Sequence, residues 1–537
     1  MPGMNAEAVE AAPRTVVRPR NTAARVLTSP WTSLAHPPLL AATFVLFLFA
    51  QNIEEQVGAA VVLRPLLIVL LGTAGAMLLA LVLFRDLRRA GLATSVAVLL
   101  FFTYGHAWEL VQGWAQEPVL LAVWVAMLLL ALALIALVGR PPRAISDALN
   151  VFAAALLVMN ALPIFGYHPP VAALQEQPAG LTVGPDAEPL QRDIYYIVLD
   201  RYPDARTLSE QFGYDNRSFL DALEERGFYV ASDSVANYLK TAFSLVATLE
   251  MDYLDMEALG AAAAKPTDWK PLHDRLQGEL AVPAFLKANG YRYVHVATWW
   301  GGTLTNRLAD QVLAYGGTSE FDALLVDTTM LRAADMFGVE AALASRDVKR
   351  LHTLFQFSRL EEMASAPGPK FVFAHITLPH DPYVFDADGD YLSEAQARER
   401  SPEQNFVEHV EYANRRVLVV VERLLDVPPE RQPIIVVGAD EGPLPDRFAG
   451  HQDTFEWQQA RPDEIERKFR ILNAFYLPGV EDAGLYPSIT SVNAFRLIFN
   501  AYFDTDLPLL PDRAFTWFSG QDYYEHFEIT EQLLPDP

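Results

Sequence analysis

The chain has 537 residues, long enough for more than one domain, and 51% of its residues are hydrophobic, a high fraction for a soluble protein. Its formal net charge of −25 argues against nucleic acid as a partner, because the two polyanions would repel each other. The absence of cysteine excludes disulfide bonds and thiolate metal sites.

The N-terminal third of the chain contains five stretches without a charged residue. A helix needs ~20 residues to cross the hydrocarbon core of a bilayer, and these stretches meet or approach that length. They cover residues 26–53, 65–84, 90–108, 118–139 and 148–167. We therefore predict a cytoplasmic tail over residues 1–30 and an α-helical membrane domain of about five spans over residues 31–167.

The loops between these stretches alternate in charge. Arginines occupy the N-terminal tail and the loops after the second and fourth stretches: Arg14, Arg18, Arg20, Arg25, Arg85, Arg88, Arg89, Arg140 and Arg143. The intervening loops carry Glu54, Glu55, Glu109 and Glu117 instead. Because positively charged loops stay in the cytoplasm, we predict a cytoplasmic N-terminus and an extracytoplasmic region beyond residue 167.

We predict a Pro- and Gly-rich linker over residues 168–191. After it the sequence pattern changes to apolar strands that alternate with amphipathic helices. We predict strands over residues 193–200, 291–298, 370–378, 433–439 and 471–479. We predict helices over residues 218–228, 348–364, 406–426 and 491–503. Continuous apolar strands of this kind indicate an α/β domain over residues 192–537, with a mostly parallel sheet flanked by helices.

Three of the predicted strands end in residues that can do chemistry. The first ends at Asp200, a middle strand runs through His375 towards His380, and a later one ends at Asp440 and Glu441. In open α/β sheets, ligands bind at the carboxyl ends of the strands. An acid after a strand can also be a helix cap or a turn residue, but three such ends at one sheet edge favour a site.

These segments resemble the alkaline-phosphatase superfamily, in its branch of sulfatase-like hydrolases and transferases. The motifs are YIVLD ending at Asp200, HITLPHDPYVFD from His375 and ADEGP around Asp440, and the resemblance covers roughly residues 192–537. The predicted spans followed by an external domain also look like the lipoteichoic-acid synthases and related phosphoglycerol transferases. The chain departs from the branch at Glu441, where a histidine is usual.

The resemblance implies a nucleophile beside a bound cation. Thr241 lies 41 residues after Asp200 at the start of an apolar helical run, and it matches the nucleophile segment of the family. Its alternative role is that of a helix N-cap, with Ser244 as the other candidate nucleophile. His380 would contact the transferred anion or protonate the leaving group. Asn237 and His375 would contact the substrate.

The same resemblance implies a metal site made of Asp200, Thr241, Asp440, Glu441 and a late histidine, His451. With Glu441 in place of histidine, the set is almost entirely oxygen, which favours Mn²⁺, Mg²⁺ or Ca²⁺ over Zn²⁺. The chain lacks both Cys and a Ser-x-Pro-x-Arg motif, so a formylglycine sulfatase is not expected.

The expected function is a membrane-anchored, metal-dependent phosphoryl- or phosphoglycerol-type transferase, or a phosphodiester hydrolase, acting on cell-envelope lipid or glycan. Two alternatives stay open. The exchange of histidine for Glu441 allows a non-catalytic domain that serves as a scaffold in envelope assembly. The same domain could also hydrolyse small phosphate or sulfate esters, as a phosphatase or sulfatase does.

Overall fold

The computed structural model describes residues 32, 34–53, 59–166, 178, 180–184, 192–316, 319–337, 345–480 and 482–534. The predicted cytoplasmic tail and most of the predicted linker over residues 168–191 lie outside the described residues. The chain divides into two compact units. The first comprises Met1–Thr43, Ile68–Leu100 and Val123–Met159, and the second comprises Phe44–Leu67, Phe101–Ala122 and Asn160–Pro537.

Five helices occupy the described part of the N-terminal region. They are α1 (His36–Gln51), α2 (Leu63–Phe84), α3 (Leu87–Val111), α4 (Glu117–Leu137) and α5 (Arg143–Gly166). Helices α2 to α5 are long and apolar enough to cross a membrane, whereas α1 has 16 residues. By length and composition, the described residues thus contain four candidate spans where the sequence predicts about five.

A seven-stranded sheet forms the core of the second unit, in the order β2-β7-β6-β1-β5-β3-β4. Its strands are β1 (Ile194–Asp200), β2 (Tyr229–Val230), β3 (Arg292–Val296), β4 (Gln311–Leu313), β5 (Lys370–Pro379), β6 (Ile434–Ala439) and β7 (Asn473–Tyr476). Strands β1, β3, β4, β5 and β6 run parallel, while β7 is antiparallel to both of its neighbours. The predicted mostly parallel sheet is therefore confirmed, with one reversed strand. Two further strands, β8 (Phe515–Trp517) and β9 (His526–Glu528), pair separately.

Thirteen helices of the second unit follow β1 in the described residues. They are α6 (Ala205–Phe212), α7 (Arg217–Glu224), α8 (Thr241–Glu250), α9 (Met256–Ala262), α10 (Lys270–Leu276), α11 (Ala281–Ala288), α12 (Glu320–Asp327), α13 (Ser345–Met363), α14 (Glu394–Glu399), α15 (Pro402–Leu425), α16 (Pro462–Phe469), α17 (Ser491–Phe503) and α18 (Thr530–Leu533).

The central strands are buried along their whole length because helices cover the sheet. Every residue of β1, β5 and β6 is buried, which explains why these strands read as continuous apolar runs. Helices α8 and α17 pack beside Tyr196, whose ring lies 5.3 Å from that of Phe495 and whose pKa is influenced by the nearby Thr248. Helices α13 and α15 pack against β5. This arrangement leaves the carboxyl ends of β1, β5 and β6 together at one edge.

Candidate metal site and adjoining cavity

Strand register brings three of the predicted side chains to one face of the sheet. Val198 of β1 pairs with His375 of β5, and Leu199 pairs with Ala439 of β6. Asp200 and Asp440 therefore follow matched positions on adjacent strands. Side chains alternate along a strand, so Asp200 shares a face with Val198 and with the paired His375.

Asp200, His375 and Asp440, here called the trio, converge at this edge. The Nε2 atom of His375 lies 3.7 Å from Asp200 Oδ2 and 3.8 Å from Asp440 Oδ2. One ligand atom from each residue lies within 4.8 Å of the others, and all three residues are buried. Asp200 Oδ1, His375 Nε2 and Asp440 Oδ2 have no hydrogen-bond partner in the protein. Such a set of orphaned buried atoms fits a divalent cation, for which all three residues are suitable ligands.

The electrostatics of the trio point the same way. Burial raises the pKa of Asp200 to about 7, with Arg201 opposing and Glu441 adding to the shift. Burial, Asp200 and Glu441 together raise the pKa of Asp440 to about 8. Burial lowers the pKa of His375, which keeps its imidazole neutral. Two carboxylates that are costly to ionise in the same buried place would be relieved by a bound cation.

Thr303, Gln356 and Trp300 fix the position of His375. Its Nδ1 lies 3.1 Å from the hydroxyl of Thr303, and its backbone carbonyl accepts a hydrogen bond of 2.7 Å from Gln356 Nε2. The ring of Trp300 meets it edge-on at 5.7 Å. With Nδ1 engaged by a hydroxyl, Nε2 is the nitrogen left to face the two carboxylates, an arrangement typical of ligating histidines.

Thr241 is the first residue of α8, as predicted, and it is not the N-cap of that helix. The cap position is Lys240, which makes no side-chain capping bond. The hydroxyl of Thr241 is close enough to Asp440 to act against the rise in the pKa of that carboxyl, so Thr241 lies beside the trio. The other candidate nucleophile, Ser244, is buried and donates to the carbonyl of Tyr238 at 3.0 Å.

Glu441 is not a member of the trio, because its Oε1 is engaged by two cations. Lys468 Nζ lies 2.8 Å away and Arg201 Nε 3.3 Å away, and the three residues are here called the ion group. Burial would raise the pKa of Glu441, but Lys468, Lys240 and Arg201 outweigh it and hold that pKa low. The second carboxylate oxygen, Oε2, has no hydrogen-bond partner and belongs to a residue that lines the cavity described below.

His380 lies at the end of β5 between two cavities. Its backbone N–H donates to the Asp200 carbonyl at 3.2 Å, and its own carbonyl accepts from Lys349. Burial and the nearby Arg201 hold the pKa of His380 well below its usual value, with Asp381 opposing, so that its imidazole is neutral. His380 is therefore near the site, where its backbone bonds Asp200 and its imidazole lies near Arg201 and Asp381, but it is not one of the three residues of the trio.

Two of the predicted site residues are not brought to the trio. The amide of Asn237 is used elsewhere, accepting from the Val492 N–H at 3.0 Å and donating to the Arg513 carbonyl at 2.8 Å. His451 is exposed, with its Nδ1 3.4 Å from the Ala449 carbonyl. Neither residue lines the cavity beside the trio.

A cavity of about 440 Å³, here called the first cavity, opens next to Asp200 and Thr241. Its polar end also carries Arg201, Lys240 and His380. The ammonium of Lys240 lies over the Trp517 ring at 5.8 Å and within 3.2 Å of Gln452 Oε1. The rest of the wall is largely aromatic, with Trp269, Trp299, Trp300, Trp517 and Tyr523. The cavity therefore combines charged groups of both signs, including Asp200 and Glu441, with aromatic surface.

Sequence reasoning missed four residues that shape the site. Arg201 and Lys240 stand next to Asp200 and Thr241 in the sequence, and that adjacency is a signal that could have found them. Arg201 also has a φ of 65°, a left-handed backbone that is unusual outside glycine. Lys468 and Thr303 lie far from any motif, and only the fold places them here.

No protein-family model matches the chain, and no curated protein matches it. Solved structures with a similar fold include the C-terminal periplasmic domain of EcEptC from Escherichia coli (10% identity, TM-score 0.43, 67% of this chain and 99% of that one). The integral membrane protein lipooligosaccharide phosphoethanolamine transferase A from Neisseria meningitidis covers 88% of this chain and 95% of its own, at 11% identity and TM-score 0.37. A protein of the alkaline phosphatase superfamily from Vibrio parahaemolyticus matches at 11% identity and TM-score 0.39, over 66% and 78% of the two chains.

Proposed function

We propose that this chain is a membrane-anchored, metal-dependent phosphotransferase that uses Thr241 as its nucleophile on a phosphodiester of the cell envelope. The observation that carries the proposal is the hydroxyl of Thr241. It lies at the start of α8, lines the same cavity as Asp200 and lies near Asp440, two members of a buried trio with ligand atoms that lack protein partners. A nucleophile, an orienting carboxylate and a candidate cation site therefore occupy one place.

Asp200, His375 and Asp440 are the residues proposed to hold the divalent cation. When bound, such a cation withdraws charge from phosphoryl oxygens and makes a nearby hydroxyl easier to deprotonate. Two carboxylates with one imidazole suit Mn²⁺ and Zn²⁺ as well as Mg²⁺. The expected preference for Mn²⁺, Mg²⁺ or Ca²⁺ over Zn²⁺ assumed Glu441 as a ligand, so His375 brings Zn²⁺ back among the candidates.

The residues around Thr241 support binding of an anionic phosphoryl group. The N-terminus of α8 carries backbone N–H groups without helical acceptors, which favour a negative charge. Arg201 adds positive charge to the lining of the first cavity, and Lys240, whose pKa burial lowers to about 7, adds a partial one near neutral pH. His380, which lines that cavity, is the group proposed to exchange a proton with the departing or entering alcohol.

The membrane setting supports a lipid-linked donor. Helices α2 to α5 are apolar enough to span a bilayer, and arginines lie in the loop between α2 and α3 and in the loop between α4 and α5. These loops favour the cytoplasmic side, which puts the C-terminal end of α5 on the opposite side of the membrane. We infer that the domain beyond residue 192 lies outside the cytoplasm. A nucleophile tethered at that surface would meet phosphodiesters of lipid headgroups and of envelope glycans, and would need no nucleic-acid partner.

Thr241→Ala tests the proposal in the full-length protein with metal supplied. We expect turnover of bis(p-nitrophenyl) phosphate to fall to background, and a covalent phospho-adduct at Thr241 to disappear from the mass spectrum. Thr241→Ser should retain part of the activity because it keeps a hydroxyl. Thr248→Ala, seven residues further along α8, is the matched control for the loss of a helix threonine. Full activity of Thr241→Ala would sink the assignment.

Two other functions predict different outcomes of the same assay. A hydrolase of small esters would release only the free alcohol and a water-derived phosphate, even with an acceptor alcohol in excess. A non-catalytic scaffold would give no turnover and no phospho-adduct, and its trio need not bind metal. Product analysis together with a metal titration of the full chain therefore separates the three.

A further inference from the structure

A second cavity, of about 460 Å³, adjoins the first. The two share three lining residues: Arg201, His380 and Gln452. The guanidinium of Arg201 reaches from Glu441 Oε1 at 3.3 Å to Asp381 Oδ1 at 2.7 Å. Glu441 lines only the first cavity and Asp381 only the second, so the guanidinium of Arg201 lies at the boundary that the two cavities share.

We propose that the second cavity is the subsite for the exchanged alcohol of the reaction, which is a polyol: it holds the leaving alcohol first and the acceptor alcohol afterwards. This inference rests on the proposed function and adds to it the place and chemical class of the second substrate. The first cavity then holds the ester arm that stays on phosphorus.

The number of cavities suits a phosphodiester. Phosphorus in a diester carries two ester arms, one of which is displaced by the nucleophile while the other is retained. A monoester or a sulfate ester of a small alcohol has one arm and needs one cavity. The two cavities adjoin at Arg201 and His380, while Thr241 lines the first cavity only, so each arm has its own space on one side of that boundary.

The lining of the second cavity suits hydroxyl groups more than another phosphate. Glu403 and Asp446 line it without lining the first cavity, and the Asp446 side chain is 75% exposed. Carboxylates accept hydrogen bonds from hydroxyls and repel anions. Tyr383 and Phe406 add aromatic surface for the carbon skeleton of a polyol. Arg467, the cation found only on this side, is paired with Asp446 at 3.0 Å.

The two half-reactions balance in bonds and protons. In the first, the Thr241 Oγ–P bond forms and the bond from phosphorus to the leaving oxygen breaks, with its electron pair remaining on that oxygen. The proton lost by Thr241 equals the proton gained by the leaving alcohol. In the second, the acceptor oxygen bonds phosphorus, the Thr241 Oγ–P bond breaks, and the acceptor's proton is matched by the one that Thr241 regains. His380, on the shared wall, is placed to carry that proton.

The test measures how the phospho-enzyme partitions between acceptors. Full-length protein with metal is given bis(p-nitrophenyl) phosphate and either glycerol or methanol at equal molarity. Nitrophenol release reports the first half-reaction, and the glyceryl and methyl phosphodiesters report the second. In Glu403→Ala and Asp446→Ala we expect the glycerol-to-methanol product ratio to fall roughly fivefold, the size of a lost hydrogen bond. Because the ratio compares two acceptors for the same phospho-enzyme, it does not depend on how fast nitrophenol is released.

Glu422→Ala and Asp426→Ala are the matched controls. They remove exposed acids at the other end of α15, including Asp426 at 78% exposed, and neither lines the second cavity. An unchanged product ratio in the Glu403 and Asp446 variants, or an equal fall in the controls, would overturn the subsite alone. Absence of nitrophenol release from the wild-type protein would instead overturn the proposed function, and the subsite with it.

Discussion

Two groups of buried charges lie side by side at the carboxyl edge of the sheet. One group contains its own counter-ions, whereas the other has polar atoms without partners. In the trio, ligand atoms of Asp200, His375 and Asp440 lie within 4.8 Å of each other, and several have no partner. In the ion group, Glu441 Oε1 is satisfied by Lys468 and Arg201. The two groups are adjacent in sequence at Asp440 and Glu441.

The two groups differ in role: we propose that the trio binds a cation and that the ion group stabilises the fold around it. Burying a carboxylate costs several kcal/mol unless a cation or donors compensate it. The ion group supplies its own cations from α16 and from the turn after β1. In our proposal, a bound cation offsets the cost of burying the two carboxylates of the trio. In our proposal, Glu441 therefore supports the site without binding the metal, and His375 of another strand would supply the nitrogen ligand.

The largest expected effect is that of Asp440→Asn on turnover. Asparagine keeps the Oδ1 acceptor for the N–H groups of Arg201 and Glu441, now at 3.2 and 2.8 Å, so the turn should survive. The proposed metal site would lose an anionic ligand, and Thr241 would lose the carboxylate beside it. We expect a fall of about a thousandfold in kcat/KM, or about 4 kcal/mol.

The apo form of this variant sharpens the comparison. Removing one of several repelling carboxylates should leave the unfolding temperature of the metal-free protein unchanged or raised. Asp426→Asn, at an exposed acid, should change neither activity nor stability. A strongly destabilised apo Asp440→Asn protein would mean that this carboxylate is structural.

Lys468→Met should have the next largest effect, on stability. Lys468 is fully buried, and its loss would leave Glu441 with Arg201 as its nearest cation. Breaking a buried pair in this way costs about 3 kcal/mol or more, measured by urea unfolding. Lys287→Met breaks an exposed pair with Asp310 of nearly equal length, 2.7 Å, and should cost under about 1 kcal/mol. The double variant Lys468→Met/Glu441→Leu should recover much of the loss.

The sequence predicted the fold well because the central strands are buried on both faces. Their apolar runs stand out, and Asp200 and Asp440 mark the points where those runs end. Strand β7 was predicted as a strand, but its reversed direction was not, since direction depends on how the chain returns to the sheet. The short strands β2 and β4 leave too few residues for a pattern.

The sequence predicted the site residues that lie at strand ends, Asp200 and Asp440. It did not predict contacts that depend on how strands and helices pair in space, such as those of His375 and Lys468. His375 was assigned to the substrate because its segment resembles the family's substrate segment, whereas its pairing with Val198 gives the register that brings it near Asp200 and Asp440. Glu441 was expected to bind metal because it follows Asp440 where the family has a histidine, and its contact with Lys468, 27 residues away, has no local signal. Asn237 was chosen because it lies in the segment that resembles the family's nucleophile segment, and His451 because it follows Asp440 by 11 residues as a late histidine does in some relatives. Neither criterion determines side-chain direction.

Metal removal tests the trio without changing a residue. A cation present at 100 times its dissociation constant stabilises the folded state by about 2.7 kcal/mol, so a chelator should lower the unfolding temperature of the full chain by a corresponding amount. The shift should vanish in Asp440→Asn and persist in Lys468→Met from a lower starting point. An equal shift in all three proteins would place the cation elsewhere.

The smallest expected effect is that of Thr303→Val on metal affinity. The Thr303 hydroxyl, 3.1 Å from His375 Nδ1 and 2.9 Å from the Thr298 hydroxyl, orients the imidazole without touching the trio's ligand atoms. Valine keeps the shape but lets the ring turn and lets Nε2 hold a proton. We expect metal affinity, measured by calorimetry, to weaken at least tenfold, or about 1.4 kcal/mol. Thr353→Val, a buried threonine that bonds only its own helix at Lys349, is the control. Equal affinities in the two variants would mean that packing alone, and not this hydroxyl, sets the imidazole.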